Sequence, residues 1–262
     1  MMLSKSGVGA AGAVVTNVVD CVTITIPAGK GGVLKAVEIN TVTIDETVVC
    51  GGGLVNCKNS SADWSPFYLL SPISGVVTLG GNPKEPVRYD VEKELPGNST
   101  CTFDFYPYDN QGQSLEVTLI WELGAKLREE SFHGYIHPIK TAAVTATARA
   151  SPGNYAVPGG KGGRLYALYS LPWPTGETTV QSGGLVELEN NAYDMTPCHH
   201  YTIADAVVGA GGSIMGGPWK IPWDGPCPQN SAFTAYYTPT DNQSQTLSMI
   251  IAWKRPARRT VA

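Results

Sequence analysis

Two lysines stand in glycine-rich segments of a kind that can cradle a phosphate group, Gly29-Lys-Gly-Gly32 and Gly160-Lys-Gly-Gly163. A P-loop, however, has the spacing GxxxxGK[ST] and opens a helix, whose N-terminal amides face the phosphate. The residues that follow the first segment, Val33–Ile39, have the composition of a β-strand. We therefore predict that both segments are glycine-rich turns between strands.

The histidines are the side chains best suited to hold a metal ion, as in cupin enzymes, where a His-x-His pair lies on one strand. His199 and His200 are adjacent, so in an extended segment their rings point to opposite faces. His133 and His137 lie in another segment. The sequence contains no Gly-x-Ser-x-Gly nucleophile motif and no marked pair of carboxylates. We therefore expect no catalytic residue, no metal or other cofactor, and no small-molecule substrate.

Three tryptophans in the second half of the chain are candidate binding residues. Trp173 lies between two prolines, and Trp219 and Trp223 lie in the segment Pro-Trp-Lys-Ile-Pro-Trp. We interpret these segments as loops. Loop tryptophans stack on sugar rings or anchor protein interfaces. An equally simple interpretation is that they cap the end of a barrel.

Positive charge is concentrated near the C-terminus, at Lys254, Arg255, Arg258 and Arg259. Such a basic tail can contact nucleic acid, an anionic membrane or a neighbouring subunit. A solvated tail is the alternative. The formal net charge of the whole chain is −4, so no general attraction to nucleic acid follows.

These residues are carried by a duplicated domain. The segment that begins at Pro27 recurs at Pro158, an offset of 131, and Trp121 recurs at Trp253, an offset of 132. One inserted residue explains the difference. We predict a first domain over residues 1–123, a connecting segment over 124–141 and a second domain over 142–262. The N-terminal stretch 7–15 is expected to be a strand with its counterpart at 141–147.

Strand patterns dominate both copies. Leu115, Val117, Leu119 and Trp121 alternate with mostly polar residues, which predicts a strand with one face in a core. The best candidate for a helix is Ala125–Ser131, in the connecting segment. About eight short strands per copy predict an all-β chain of two tandem jelly-roll β-sandwich or barrel domains. Long excursions at 58–86 and 190–218 favour a jelly roll over an immunoglobulin-like sandwich.

Composition agrees with this fold class. Hydrophobic residues make up 42% of the 262 residues, and 30 glycines and 19 prolines suit many short strands joined by turns. Charged residues are only 15%, which suggests that partners cover part of the surface. None of the six cysteines forms a CxxC pair, so a thiolate zinc cluster is not expected. Buried thiols and disulfides both stay open.

Two tandem jelly rolls of near-equal length, without a catalytic constellation, resemble the double jelly-roll major capsid proteins of tailless icosahedral DNA viruses. The resemblance covers the whole chain at the level of architecture, and no single motif carries it. It implies a structural protein of the virion shell that forms pseudo-hexameric homotrimers. Neighbouring capsomers, minor capsid or vertex proteins, and an internal membrane or genome near the tail would be its partners.

The two copies here are still recognisably similar, whereas the two barrels of that family have usually diverged. The alternative is a secreted or cell-surface carbohydrate-binding protein, similar to a lectin, with two β-sandwich modules.

Overall fold

The computed structural model describes residues 1–11, 17–43, 52–74, 86–108, 112–140, 152–174, 182–195, 199–204, 215–239 and 245–257. All regular secondary structure in these ranges is β-strand. Within them, no helix is long and apolar enough to cross a membrane.

Nine strands lie in the first half of the chain and nine in the second. Those of the first half are β1 (Met2–Ala11), β2 (Val18–Ile26), β3 (Gly32–Thr43), β4 (Gly53–Asn59), β5 (Tyr68–Leu70), β6 (Ile73–Ser74), β7 (Val87–Leu95), β8 (Ser99–Pro107) and β9 (Gln113–Leu123). Those of the second half are β10 (Glu129–Lys140), β11 (Gly153–Ala156), β12 (Gly163–Pro174), β13 (Ser182–Asn190), β14 (His199–Ala204), β15 (Met215–Gly216), β16 (Trp219–Cys227), β17 (Ala232–Pro239) and β18 (Gln245–Pro256).

Each half is an eight-stranded jelly roll made of two antiparallel sheets. The sheets of the first half have the orders β1-β9-β3-β7 and β2-β8-β4-β5. Those of the second half have the corresponding orders β10-β18-β12-β16 and β11-β17-β13-β14. The predicted fold class is therefore confirmed. The remaining short strands, β6 and β15, pair with each other and join the halves.

The duplication extends to the register of individual residues. Strand β3 has an irregularity between Leu34 and Ala36, and β12 has one between Leu165 and Ala167. Trp121 lies opposite Leu34, as Trp253 lies opposite Leu165. Each indole Nε1 donates a hydrogen bond to the carbonyl of the lysine in its own glycine-rich segment, Lys30 at 2.7 Å and Lys161 at 2.5 Å. The predicted equivalence of the two tryptophans is confirmed.

Both glycine-rich segments are turns, as the sequence predicts. The Lys30 amide donates to the carbonyl of Pro27 at 3.1 Å, and Lys161 repeats this bond with Pro158. Gly29 and its counterpart Gly160 have φ angles of 70° and 72°, a region that glycine enters without steric cost. A strand, not a helix, follows each turn.

The predicted connecting segment needs correction. Most of 124–141 is β10, which pairs with β18 and is the counterpart of β1. The counterpart of the N-terminal strand β1 in the second half is therefore Glu129–Lys140, and the predicted stretch 141–147 lies outside the described residues. The helix candidate Ala125–Ser131 is wrong, because residues 125–127 are irregular and β10 begins at Glu129. The strand pairing available at the sheet edge overrides the weak local helix propensity.

We predict that Gly32→Ala and Gly163→Ala each destabilise the protein more than Gly29→Ala. A Cβ on Gly32 would lie 1.9 Å from the Glu122 carbonyl oxygen, and one on Gly163 would lie 2.1 Å from that of Lys254. At Gly29 nothing lies within 4 Å, so only the positive φ is costly. Urea unfolding should show a loss of about 3 kcal/mol for the first two variants and about 1 kcal/mol for the third. Equal losses at all three positions would contradict this packing.

Candidate functional site: the junction between the halves

The first half packs against the outer face of one sheet of the second half, β10-β18-β12-β16. Five residues on that face pack into the core cluster of the first half. They are Ala167, Tyr169 and Leu171 of β12 and Ile250 and Ala252 of β18. The inner face of the same sheet, which includes Leu168 and Ile251, belongs to a separate core cluster. Strands β12 and β18 of this sheet are therefore buried on both sides.

The edge strand β7 is joined to β10 by a serine side chain. The Glu92 amide donates a hydrogen bond to the Ser131 hydroxyl at 2.8 Å. That hydroxyl lies 3.3 Å from the Glu92 carbonyl, to which it donates in turn. Ser131 is fully buried. One side chain thus satisfies both backbone groups of an edge residue that faces the neighbouring half.

The loop between β4 and β5 forms a second set of bonds to the other half. Asp63 accepts a hydrogen bond from Lys161 Nζ at 2.6 Å, and the Ser65 carbonyl accepts another from the same ammonium group. The Pro66 carbonyl accepts a hydrogen bond from the His133 amide at 3.1 Å. The loop is therefore hydrogen-bonded both to the second glycine-rich turn and to β10.

Lys93 is a buried cation at the centre of the junction. Its Nζ donates a hydrogen bond to the Trp64 carbonyl at 2.9 Å and lies 3.6 Å from the Glu130 carboxylate. It also lies 4.3 Å from the centre of the Phe132 ring and 5.6 Å from that of Phe67. Burial lowers the pKa of this ammonium group to about 8, while Glu130 opposes the shift. The unfavourable free energy of burying this charge is therefore larger than the favourable free energy of its interactions with these partners.

Glu130 and His133 complete the polar part of the junction. The Arg255 guanidinium lies 2.8 Å from Glu130, so this carboxylate has two cationic partners. His133 is fully buried, and burial lowers the pKa of its imidazole well below the usual range. The ring is therefore neutral, and its Nε2 shares a hydrogen bond of 2.9 Å with the Tyr166 hydroxyl.

The tryptophans predicted to lie in loops lie in strands. Trp219 and Trp223 belong to β16, the edge strand that corresponds to β7, and the backbone of Trp173 belongs to β12. Trp219 is 52% exposed, whereas Trp223 packs against the core of the second half. The side chain of Trp173 lies outside the described part of the structure. Trp219 and Trp223 thus lie on an edge strand and not in a loop.

Two of the four basic residues predicted to form a tail belong to β18. Arg255 pairs with Glu130 and donates a hydrogen bond to the Gly160 carbonyl, and Lys254 Nζ lies 3.9 Å from Glu129. Arg258 and Arg259 lie outside the described residues. Lys254 and Arg255 therefore belong to the folded sheet of the second half and not to a tail.

The two adjacent histidines lie in β14 with their rings on opposite faces. His199 is exposed and lies 3.7 Å from Glu187, whereas burial lowers the pKa of His200 to about 4. Among the described residues, no three His, Cys, Asp or Glu side chains are grouped as metal ligands.

A cleft of about 1210 Å³ lies between the halves beside Asp63 and Glu130. Its walls carry three acidic and three basic side chains, so neither sign of charge dominates. They are Asp63, Glu94, Glu130, Lys126, Arg128 and Arg255.

One pattern in the sequence indicates a residue of the junction. In β7, Tyr89, Val91, Lys93 and Leu95 are buried in strict alternation. A lysine at an inward position of an alternating strand indicates a buried charge that needs partners. Nothing in the local sequence identifies those partners, because Trp64 and Glu130 lie on other elements.

Comparisons with known proteins add little beyond the fold. No protein-family model matches the sequence, and no curated protein matches it. Among solved structures, PNGF-II aligns with 94% of this chain at 9% identity and a TM-score of 0.48, and this chain covers 61% of the PNGF-II chain. The chain therefore spans about three fifths of the length of PNGF-II.

Two further solved structures are similar in length to this chain. The major capsid protein P2 of bacteriophage PM2 aligns over 99% of both chains at 9% identity and a TM-score of 0.40. N-glycanase F aligns over 97% of this chain and 96% of that one at 9% identity and a TM-score of 0.44. Likenesses this weak extend to a capsid protein and a glycanase alike, so they assign no function.

We predict that Lys93→Met removes one component of the pH dependence of stability. Between pH 8 and pH 10.5 the unfolded chain keeps the Lys93 proton while the folded chain has released it. Stability from this group therefore rises with pH in that window, by up to about 3 kcal/mol. The free energy of unfolding, measured across this range, should rise for the wild type relative to Lys93→Met. Parallel curves for the two proteins would contradict the buried-charge assignment.

Proposed function

We propose that the chain is a structural subunit of a viral capsid, in which three copies form a ring of six similar jelly rolls. The observation that carries the proposal is the internal junction. Each half has the same sheets. The edge strands β14 and β16 of the second half therefore correspond to β5 and β7, the edge strands with which the first half contacts the second half. Repeating the contact between chains closes a ring when the rotation allows it, and closed symmetry is the usual outcome for soluble assemblies.

Exposed apolar side chains support this proposal. Six large ones are more than half exposed among the described residues, and four of these occupy positions whose counterparts lie at the internal junction. Met1 and Met2 correspond to Glu130 and Ser131, Tyr201 to Leu70, and Trp219 to Val87. Ser131 and Leu70 are fully buried, whereas Met2 and Tyr201 are 52% and 71% exposed. Contact with a neighbouring subunit would bury this surface, at about 1.5–3 kcal/mol for each fully buried large side chain.

The first-half surface that would receive a neighbour carries polar side chains on β3 and β9. The counterparts of Tyr169 and Ile250 are Glu38 and Thr118, which are partly exposed, and the counterpart of Leu171 is Asn40, which is buried within the chain. Glu38 is paired with Arg88 at 3.2 Å, and Asn40 donates a hydrogen bond to Glu116 at 3.2 Å. Interfaces between separately folded subunits are commonly as polar as the rest of the surface. The contact between chains is therefore weaker than the junction within the chain.

The basic residues Arg258 and Arg259 extend this proposal to the shell. They follow β18 and would contact an internal membrane, the genome or the next capsomer. A virion location and contacts with minor capsid or vertex proteins belong to the same proposal, as does the absence of catalysis.

The second candidate is a surface protein that binds carbohydrate. The observation that favours it is the exposure of two aromatic side chains in the second half, Tyr201 at 71% and Trp219 at 52%. Exposed aromatic rings are suited to stacking on sugars. A subunit of this kind would stay small and would respond to glycans with a change in tryptophan fluorescence.

We predict that the wild type sediments as a trimer and that Trp219→Ala shifts the equilibrium toward monomer. Removing this ring deletes apolar surface that the neighbour would bury. Val19→Ala is the matched control. Val19 is 62% exposed, but it lies on β2, in the β2-β8-β4-β5 sheet of the first half. Sedimentation velocity over a range of concentrations measures the effect. A wild-type chain that is monomeric at every concentration, with glycan-dependent quenching that Trp219→Ala abolishes, would favour the carbohydrate-binding function instead.

A further inference from the structure

We propose that His133 makes the junction between the two halves acid-labile, so that the halves move apart when its imidazole takes up a proton. His133 lies on β10 and is fully buried. The inference goes beyond the proposed function and does not depend on it, because the junction is a contact within one chain.

His133 lies where the two halves meet. Its amide donates a hydrogen bond to the Pro66 carbonyl at 3.1 Å, and its backbone forms an isolated parallel bridge with Phe67. Its ring lies among aromatic rings of both halves, with centroids 5.2 to 6.4 Å away, namely Phe67 and Tyr89 of the first half and Tyr166 and Tyr169 of the second. Water therefore reaches the imidazole only when these two sets of side chains separate.

The hydrogen bonds of the ring suit its neutral form. Its Nε2 shares a hydrogen bond of 2.9 Å with the Tyr166 hydroxyl, and its Nδ1 has no hydrogen-bond partner among the described residues. A protonated imidazole carries an N–H group on both nitrogens. In the closed junction, the Nδ1 N–H of a protonated ring would be a buried donor without an acceptor, which is unfavourable on a charged group.

The charges that act on the imidazole from the neighbouring strands are positive. Burial lowers the pKa of His133 well below its usual range, and the charges of three lysines lower it further, Lys93 on β7, Lys254 on β18 and Lys220 on β16. Lys93 carries its charge throughout the acidic range, because its pKa of about 8 lies above that range. Burial raises the pKa of the three surrounding tyrosines, which therefore stay neutral, Tyr89, Tyr166 and Tyr169.

The carboxylates of β7 and β10 at the junction already pair with cations. Each lies within 4.0 Å of a lysine or arginine nitrogen: Asp90 of Lys220, Glu92 of Lys35, Glu129 of Lys254, and Glu130 of Arg255. The arrangement therefore offers a protonated His133 cations on several sides and no carboxylate as a hydrogen-bond acceptor at Nδ1.

The sign of the pH dependence follows from these surroundings. In the closed junction the imidazole stays neutral below pH 6.5, whereas in an open junction it binds a proton with the ordinary pKa of about 6.5. Above this pH both states hold the same number of protons at His133, so the closed state is unaffected. Below it the open state is favoured, and the opening equilibrium constant should be about 30-fold larger at pH 5 than at pH 7.5. A capsomer built on this junction would loosen in the same range.

Hydrogen exchange of two backbone amides in the full-length protein tests this inference. The amide at position 133 bonds to Pro66 across the junction, and the Glu92 amide bonds to the Ser131 hydroxyl. Their protection, corrected for the intrinsic pH dependence of exchange, reports the opening equilibrium. We expect the 30-fold change in the wild type. In His133→Phe, which keeps a ring among the aromatic side chains but cannot titrate, the change should be less than about threefold.

His200→Leu is the matched control. Burial lowers the pKa of His200 to about 4, but this residue lies on β14, in the other sheet of the second half, and its counterpart in the first half is Leu69. This variant should keep the full pH dependence at both amides. His133→Gln is a second variant that cannot titrate, for use if His133→Phe does not fold.

Two results would overturn the inference. One is a wild type in which protection at both amides is the same at pH 5 and pH 7.5. The other is a pH dependence that both His133 variants retain, or that His200→Leu abolishes. Neither result bears on the proposed function, which sedimentation of the wild type tests separately.

Discussion

The outer face of strands β12 and β18 carries large apolar side chains, whose exposure to water is unfavourable. Tyr169, Leu171 and Ile250 on this face are buried only because the first half packs against them. Burying large apolar side chains is the main favourable contribution to such a contact. Each of the other features of the junction depends on this contact. Lys93 becomes buried by it, Ser131 then satisfies the edge of β7, and Asp63 reaches the glycine-rich turn of the second half.

The same physical constraint explains how two copies of one domain came to differ. Their strand orders and bulges are shared, so the backbone has been preserved. The outer faces differ in polarity, since the face of the first half carries Glu38 and Thr118 where the second carries Tyr169 and Ile250. A face that is permanently covered within one chain can be apolar, whereas one that is exposed before assembly must stay soluble. Under the proposed function, this asymmetry separates a permanent contact from a reversible one.

The sequence predicts the elements better than it predicts the contacts between them. The duplication and the glycine-rich turns follow from repeated residues with a local physical role. The prolines of β16 led to the wrong prediction of a loop. Proline is tolerated on an edge strand, because the amide that it lacks would have no partner in the sheet. In the sequence, the burial of Lys93 is indicated only by its place at an inward position of a strand in which apolar and polar residues alternate. Its partners come from tertiary packing, which no local pattern encodes.

Under the proposed function, the contact between the two halves is repeated between chains. Electron microscopy of the purified full-length protein tests this repetition, in class averages of particles viewed down their symmetry axis. We expect closed particles of six lobes with threefold symmetry, in which lobes of the first and second half alternate. Two-lobed particles alone, or open linear polymers, at concentrations where sedimentation shows one homogeneous species would contradict it.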